Sequence, residues 1–308
     1  MSYNIDLKNE ILENRPLRVR HKKAYAYGLL LFAQLFGQEM RFSTEHKGIA
    51  RLYASAATSV VGIAGSVTTY THIQAGKTVY DVQVDSSEDS VAIQQFFHHE
   101  ADTIQIEVFQ SDEDIAAFCS GAFLACGSMH DPQKNYHLEF LLPRAGLEES
   151  FARLLDGMGY TPLVTERRGQ RVLFFRDSEQ IEGLLAIMGA TRQALDLMNI
   201  KIYKDIRNKA NRQKNCDTAN IDKAISAGAK QLQQIQLIKE RLGLESLEDD
   251  LRAMVEVRLA HPEASLRELA DLMTPPLSRS GVNHRLARLK KIAEELEAEE
   301  KAGKKKNG

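Results

Sequence analysis

A repetition constrains this chain more than any other feature of its sequence. Gly28 lies in an apolar helical stretch and Gly121 in a second one, 93 residues on, and the turn glycines Gly76 and Gly169 are separated by the same 93 residues. Two landmarks held at one offset predict a duplicated unit. In the first copy the periodicity predicts a helix over 18–37, a short strand over 40–44, a helix over 46–57, a hairpin over 65–84 turning at Ala75-Gly76-Lys77, and a helix over 88–98. The second copy reads helix 112–127, strand 136–142, helix 147–158, hairpin 160–176 turning at Arg168-Gly169, and helix 178–188. Strands rest on alternation, as where Val79, Asp81 and Gln83 interleave with Tyr80, Val82 and Val84; helices rest on apolar positions three and four apart. The leading helices carry small residues at four-residue spacing, Ala24 and Gly28 in one, Ala117, Gly121 and Ala125 in the other. That spacing aligns them on one face, where two backbones can approach, so the copies are expected to meet there.

Charge divides the chain differently. The formal net charge is only −2, but residues 78–132 contain eleven Asp and Glu and no Lys or Arg, a stretch that should repel a polyanion. Between Lys201 and Lys214 six cations (Lys201, Lys204, Arg207, Lys209, Arg212, Lys214) face Asp205 alone, and Arg279 to Lys291 holds five cations without an acid. Polyanion contact therefore belongs to the C-terminal third. The longest apolar run, 24–36, is shorter than the roughly 20 residues of a spanning helix, so no membrane partner is expected. Three cysteines without ligand spacing argue against disulfides and zinc. The N-terminus has no secretory pattern, and the expected location is the cytoplasm.

Residues 191–244 read as a basic helical connector of two helices, 191–213 and 218–241, around Asn215-Cys216-Asp217. Residues 245–308 follow as a compact helical unit. Its first helix, 247–260, carries Leu251, Met254, Val255 and Leu259 on its apolar side; the second, 265–273, opens on Ser265 as cap and buries Leu266, Leu269, Ala270 and Met273. The third follows Thr274-Pro275-Pro276-Leu277 and aligns Val282, Leu286, Leu289 and Ile292 or Ala293. Three short helices with a tight second turn and a basic third helix form a helix-turn-helix pattern. Ser278, Arg279, Ser280 and Asn283 are expected to meet base edges or phosphate, and His284, Arg285, Arg288, Lys290 and Lys291 the backbone, with added contacts from Lys204, Arg207, Lys209, Arg212 and Lys214.

The repeat over residues 1–190 resembles the LAGLIDADG homing endonucleases, with Cys119 to Gly127 aligned on the family motif and Gly121 on its internal glycine. The resemblance implies a pseudo-twofold α+β saddle in which an acid at the end of each motif holds divalent cations that activate water. Ala33 and Cys126 stand at those positions and cannot supply hard oxygen ligands. Asp131 and Glu139, nearby, are read as solvated. Arg167, Arg168, Arg171 and Arg176 leave the second hairpin a residual DNA contact, against salt bridging or plain solvation. No catalytic residue, metal or cofactor is expected.

Three segments, Gly121 to Phe140, Asn211 to Ala224 and His261 to Glu294, together closely resemble the WhiA family of bacterial transcription regulators over essentially the full length. The resemblance implies a degenerate endonuclease-like domain joined to a helix-turn-helix domain, acting on double-stranded DNA in the nucleoid in cell division, chromosome segregation and, in some lineages, sporulation. The N-terminal domain would be a scaffold or a platform for another regulatory protein. Two rivals remain, a metal-dependent DNA endonuclease and an interaction scaffold that never engages DNA.

Overall fold

A computed structural model describes residues 2–34, 36, 39–63, 65–97 and 103–306, with side chains through Glu299. Helices α2 (Val19–Leu31) and α5 (Asp112–Cys126) cross at their glycines. A Cβ on Gly28 would lie 2.1 Å from the carbonyl oxygen of Phe118, and one on Gly121 would lie 2.1 Å from that of Tyr25. Only hydrogen fits at either position. The contact is reciprocal at the repeat offset, since Phe118 follows Tyr25 by the same 93 residues as Gly121 follows Gly28. The seam between the copies is the expected one, and it defines the pseudo-twofold relation.

Each copy adds an antiparallel sheet. The first is β1 (Arg41–Thr44), β2 (Val67–Gln74) and β3 (Lys77–Val84) in the order β1-β3-β2; the second is β4 (Gly127–Met129), β5 (Leu138–Leu141), β6 (Leu163–Arg167) and β7 (Gln170–Phe175) in the order β4-β5-β7-β6. The hairpin turns match in backbone detail: Ala75 and Gly76 have φ of 50° and 78°, Arg168 and Gly169 54° and 78°. Two successive left-handed residues are what a two-residue hairpin needs to follow strand twist. Where β4 borders β5 in the second copy, the side-chain amide of Gln34 serves in the first, donating to the Ser43 carbonyl at 3.1 Å and accepting its N–H at 2.9 Å.

Helices α3 (Lys47–Ser55), running into a π-helical turn at Ala56–Val61, α4 (Ser87–Phe96), α6 (Leu147–Gly157) and α7 (Ser178–Ile187) complete the repeats. The core gathers around α2 and α5, with Tyr27 stacked on Phe97 at 4.7 Å and Phe32 against Phe151 at 4.8 Å. The first helix ends at Leu31, short of the expected 37; Gly37 and His98 lie outside the described residues. Helix α1 (Tyr3–Glu13) was not anticipated, because its local amphipathicity is weak and docking sustains it. The buried Glu10 carboxylate accepts the backbone N–H groups of Arg192 (2.7 Å) and Gln193 (3.0 Å), capping the next helix from outside.

That helix, α8 (Thr191–Arg241), runs unbroken through 51 residues. The turn expected at Asn215-Cys216-Asp217 is absent, since no Gly or Pro interrupts positions 191–227 and modest propensities at three positions do not stop a helix. The chain forms two compact units, residues 1–204 and 205–308. In the second, Ile235 and Ile238 of α8 pack with α9 (Asp249–Ala260), α10 (Leu266–Leu272) and α11 (Arg279–Lys306). Ser265 and Glu268 cap α10 reciprocally as a capping box. Two expectations are corrected. Helix α11 is 28 residues long, and Leu259 is exposed because Arg258, seven positions after Leu251, takes the last place on the buried stripe of α9. The fold is α+β, a pseudo-twofold repeat domain followed by a helical unit in which α10, a tight turn and α11 follow one another, as expected.

Candidate nucleic-acid interface

The start of α11 is set by Ser278, whose hydroxyl accepts the Gly281 N–H at 3.1 Å, and by the Leu277 N–H, which donates to the Ala270 carbonyl at 2.9 Å. From that first turn Ser278, Arg279, Ser280, Asn283 and His284 all face solvent. Beside it a cleft of about 550 Å³ opens within the second unit, its polar rim formed by Asn220, Lys223, Arg267, Arg279 and Asn283. Among the described residues Lys223, Arg267 and Arg279 have no ion-pair partner, so three unneutralised cations converge on one concavity. A Cβ on Gly281 would meet only Leu277 and Ser278, at 3.5 Å or more, so packing against α10 does not require that glycine.

The other expected residues divide. Arg285 lies 3.4 Å from Asp250, and Arg288 lies 2.7 Å from Glu248 and 3.3 Å from Asp250. Glu248 raises the Arg288 pKa further by accepting its hydrogen bond. These two guanidinium groups tie α11 to the start of α9. Lys290 and Lys291 face solvent in i,i+4 pairs with Glu294 and Glu295, which hold them only weakly. On α8, Lys204 donates to the Pro132 carbonyl at 2.7 Å and lies 4.6 Å from the Tyr136 ring centroid, whereas Arg207, Lys209, Arg212 and Lys214 fall in a stretch, Asp205 to Lys223, exposed at every position.

Three functional candidates escaped the sequence reading. Lys223 and Arg267 are isolated cations whose convergence with Arg279 appears only after folding. Arg258 is buried, and burial lowers its pKa. Its Nη1 donates to the carbonyls of His261 (3.3 Å), Pro262 (3.3 Å) and Ala264 (2.8 Å), fixing the α9–α10 turn.

In the repeat domain the ends of α2 and α5 hold cations of the chain itself. Arg144 Nη2 donates to the Leu31 carbonyl at 2.7 Å and Nη1 reaches the Ala33 carbonyl at 3.5 Å; Lys8 Nζ donates to the Leu124 carbonyl at 3.4 Å. Burial lowers the Lys8 pKa to about 8 and raises that of the neighbouring Cys126 thiol to about 12, each partly offset by the other. The hairpin arginines are largely engaged within their own half. Arg167 pairs with Glu139, Arg171 with Glu148 and Glu166, and Arg176 lies over the Phe174 ring. Glu139 is correspondingly not solvated. It is buried under Arg167, Ser128 and His137. Asp131, by contrast, is exposed as expected and accepts the Gln133 N–H at 2.9 Å.

No described helix is long and apolar enough to cross a membrane. A family model described as the WhiA C-terminal HTH domain matches residues 210–293, and one described as the WhiA LAGLIDADG-like domain matches residues 115–207. The chain is 33% identical, over 97% of its length and 99% of the relative's, to the "Probable cell division protein WhiA" of Clostridium tetani (strain Massachusetts / E88). It is 40% identical to the protein of the same name from Clostridium perfringens (strain SM101 / Type A), across 63% of this chain and 61% of that one. The crystal structure of full-length DUF199/WhiA from Thermatoga maritima shares the fold, with a TM-score of 0.58 and 24% identity over 96% of this chain and 99% of that one.

Proposed function

Because this chain belongs to the WhiA family, we propose that it is a non-catalytic, DNA-binding transcription regulator whose helix-turn-helix unit reads double-stranded DNA. The observation that carries this reading is the solvent-facing first turn of α11, with hydrogen-bonding Ser280 and Asn283 beside a cleft rimmed by the unpaired Lys223, Arg267 and Arg279. Arg and Asn suit the major-groove edges of guanine and adenine, and the cleft cations suit phosphate. Arg207, Lys209, Arg212 and Lys214 add backbone contacts from α8. Arg285 and Arg288 hold the recognition helix in place, and Lys290, Lys291 and His284 contribute outer electrostatic contacts.

The endonuclease reading fares worse on chemical grounds. Ala33 and Cys126 offer no carboxylate at the helix ends, and Arg144 and Lys8 already place positive charge there, which opposes a divalent cation. In the cell this reading puts the protein on the nucleoid, in cell division and chromosome segregation, and in sporulation where a lineage sporulates. The N-terminal repeat domain then serves as scaffold or as platform for another regulatory protein.

The test is binding of full-length protein to duplex genomic fragments across a salt series with Mg²⁺ present. If about five cations meet phosphate, log K falls against log salt with a slope near −4.5, at roughly −0.9 per contact. Replacing Lys223, Arg267 and Arg279 by Ala should flatten the slope by about 2.7. A flat response in the unaltered protein favours the DNA-independent scaffold; cleavage of the fragments restores the nuclease.

A further inference from the structure

Outside the helix-turn-helix unit, among the described residues, one group of side chains has the donor chemistry of a metal site: His130, His137 and Glu139. We propose that these three residues bind one divalent transition-metal ion of the zinc class on the second sheet, with His130 supplied by the loop after β4, His137 from just before β5 and Glu139 from β5. One ring nitrogen from each histidine and one carboxylate oxygen lie within 4.8 Å of one another. His137 Nε2 and Glu139 Oε2 are already 3.0 Å apart, and the two imidazole centroids lie 4.6 Å apart. Ligands at about 2.0–2.1 Å around a tetrahedral ion stand roughly 3.3 Å from each other. The exposed His130 therefore needs to close by at most about 1.5 Å, while the other two ligands stay nearly where they are.

The surroundings orient the donors. Asn135 Oδ1 lies 3.3 Å from His130 Nδ1; accepting a hydrogen there leaves Nε2 with its lone pair for the metal. Ser128 (3.1 Å) and Arg167 (2.8 Å) both engage Glu139 Oε1, which turns Oε2 toward the histidines. Burial by itself would raise the Glu139 pKa, but the hydrogen bonds from Arg167 and His137 outweigh it and keep the carboxylate ionised. When the metal enters between His137 Nε2 and Glu139 Oε2, the imidazole proton resides on Nδ1 and the direct hydrogen bond gives way to two coordinate bonds. Two imidazoles and one carboxylate favour zinc, nickel or copper over magnesium, and leave a position for water or an outside ligand. Bound metal would fasten the 130–137 loop to β5 in a unit whose own ionic partners, Arg167 and Glu139, lie on the same sheet.

Equilibrium dialysis of full-length Cys216→Ser protein, stripped with chelator and titrated with Zn²⁺ alone, tests this without reference to DNA; the substitution removes the exposed thiol. One equivalent per chain is expected, weakened roughly tenfold or more by His130→Ala and by Glu139→Gln. His130 is exposed, so its replacement leaves the core intact, and an unchanged melting temperature without metal verifies folding. No binding, or binding that His130→Ala leaves unaltered, overturns the site.

Discussion

Replacing Gly28 and Gly121 together by alanine tests the pseudo-twofold seam directly. A Cβ at either position would stand 2.1 Å from a backbone oxygen of the opposite helix, where ordinary contact begins near 3.4 Å, so α2 and α5 must separate by about 1 Å or more. A gap of that size forfeits a quarter to a half of the dispersion attraction between facing atoms. Overpacking costs about 1–3 kcal/mol per site, and a clash with backbone lies in the upper part of that range, about 2–3 kcal/mol; the better helix propensity of alanine returns about 1 kcal/mol at each position. The net expectation is a loss of roughly 2–4 kcal/mol, which for a unit of about 200 residues lowers the melting temperature by about 4–16 °C. Gly157→Ala is the control, since a Cβ there meets nothing within 4 Å. Scanning calorimetry of the three proteins reads the comparison. A double variant that melts at or above the parent temperature would refute close backbone contact between the copies.

Other outcomes follow from single interactions. Arg258→Met leaves three carbonyls of the α9–α10 turn without their donor and should destabilise the second unit by about 1–3 kcal/mol in chemical denaturation. Arg288→Ala should reduce stability while leaving the salt slope of DNA binding within experimental error, because its partners are Glu248 and Asp250; a slope flattened by about 0.9 would reassign it to phosphate. Burial lowers the Lys8 pKa from its ordinary 10.5 to about 8 in the folded chain, so between those values the unfolded chain holds more protons and stability rises with pH. The contribution is lost as pH falls through 8. Denaturation at pH 8 and pH 9.5 should show that rise in the parent and a smaller one in Lys8→Met; equal slopes would contradict a charged, buried Lys8.

The sequence made legible whatever repeats or recurs at short range. The 93-residue offset predicted both hairpin turns and the glycine seam, because a left-handed turn and a backbone crossing each demand a residue type at a fixed place. Ser265, a capping residue ahead of an apolar period, likewise revealed the start of α10. What stayed hidden depends on distant partners. Helix α1 is held by Glu10 reaching Arg192 and Gln193, a pairing across some 180 residues with no local trace. The ion pairs of Arg285 and Arg288 with Asp250 were equally hidden, because a basic helix face reads the same in sequence whatever lies opposite it. The cleft cations come from α8, α10 and α11, and nothing in the separation of Lys223, Arg267 and Arg279 announces that they converge. The grouping of His130, His137 and Glu139 is hidden for a related reason, since cysteine spacing carries no trace of two histidines and a glutamate gathered by a loop and a strand.

The cations at the ends of α2 and α5 also bear on the history open to this domain. A nuclease ancestor that had lost only its acids could recover them by two substitutions. Here Cys126→Asp would set a carboxylate beside the ammonium of Lys8, and Ala33→Asp would set one near the guanidinium of Arg144, so each new acid would find an internal counterion before any metal. Removing Lys8 or Arg144 first would strip the helix-end carbonyls of their donors. The way back requires gains and losses in concert, with every intermediate carrying a mismatched buried charge. At these two helix ends the chain is thus its own counterion, and the carbonyls that close α2 and α5 already face a cation that the fold itself supplies.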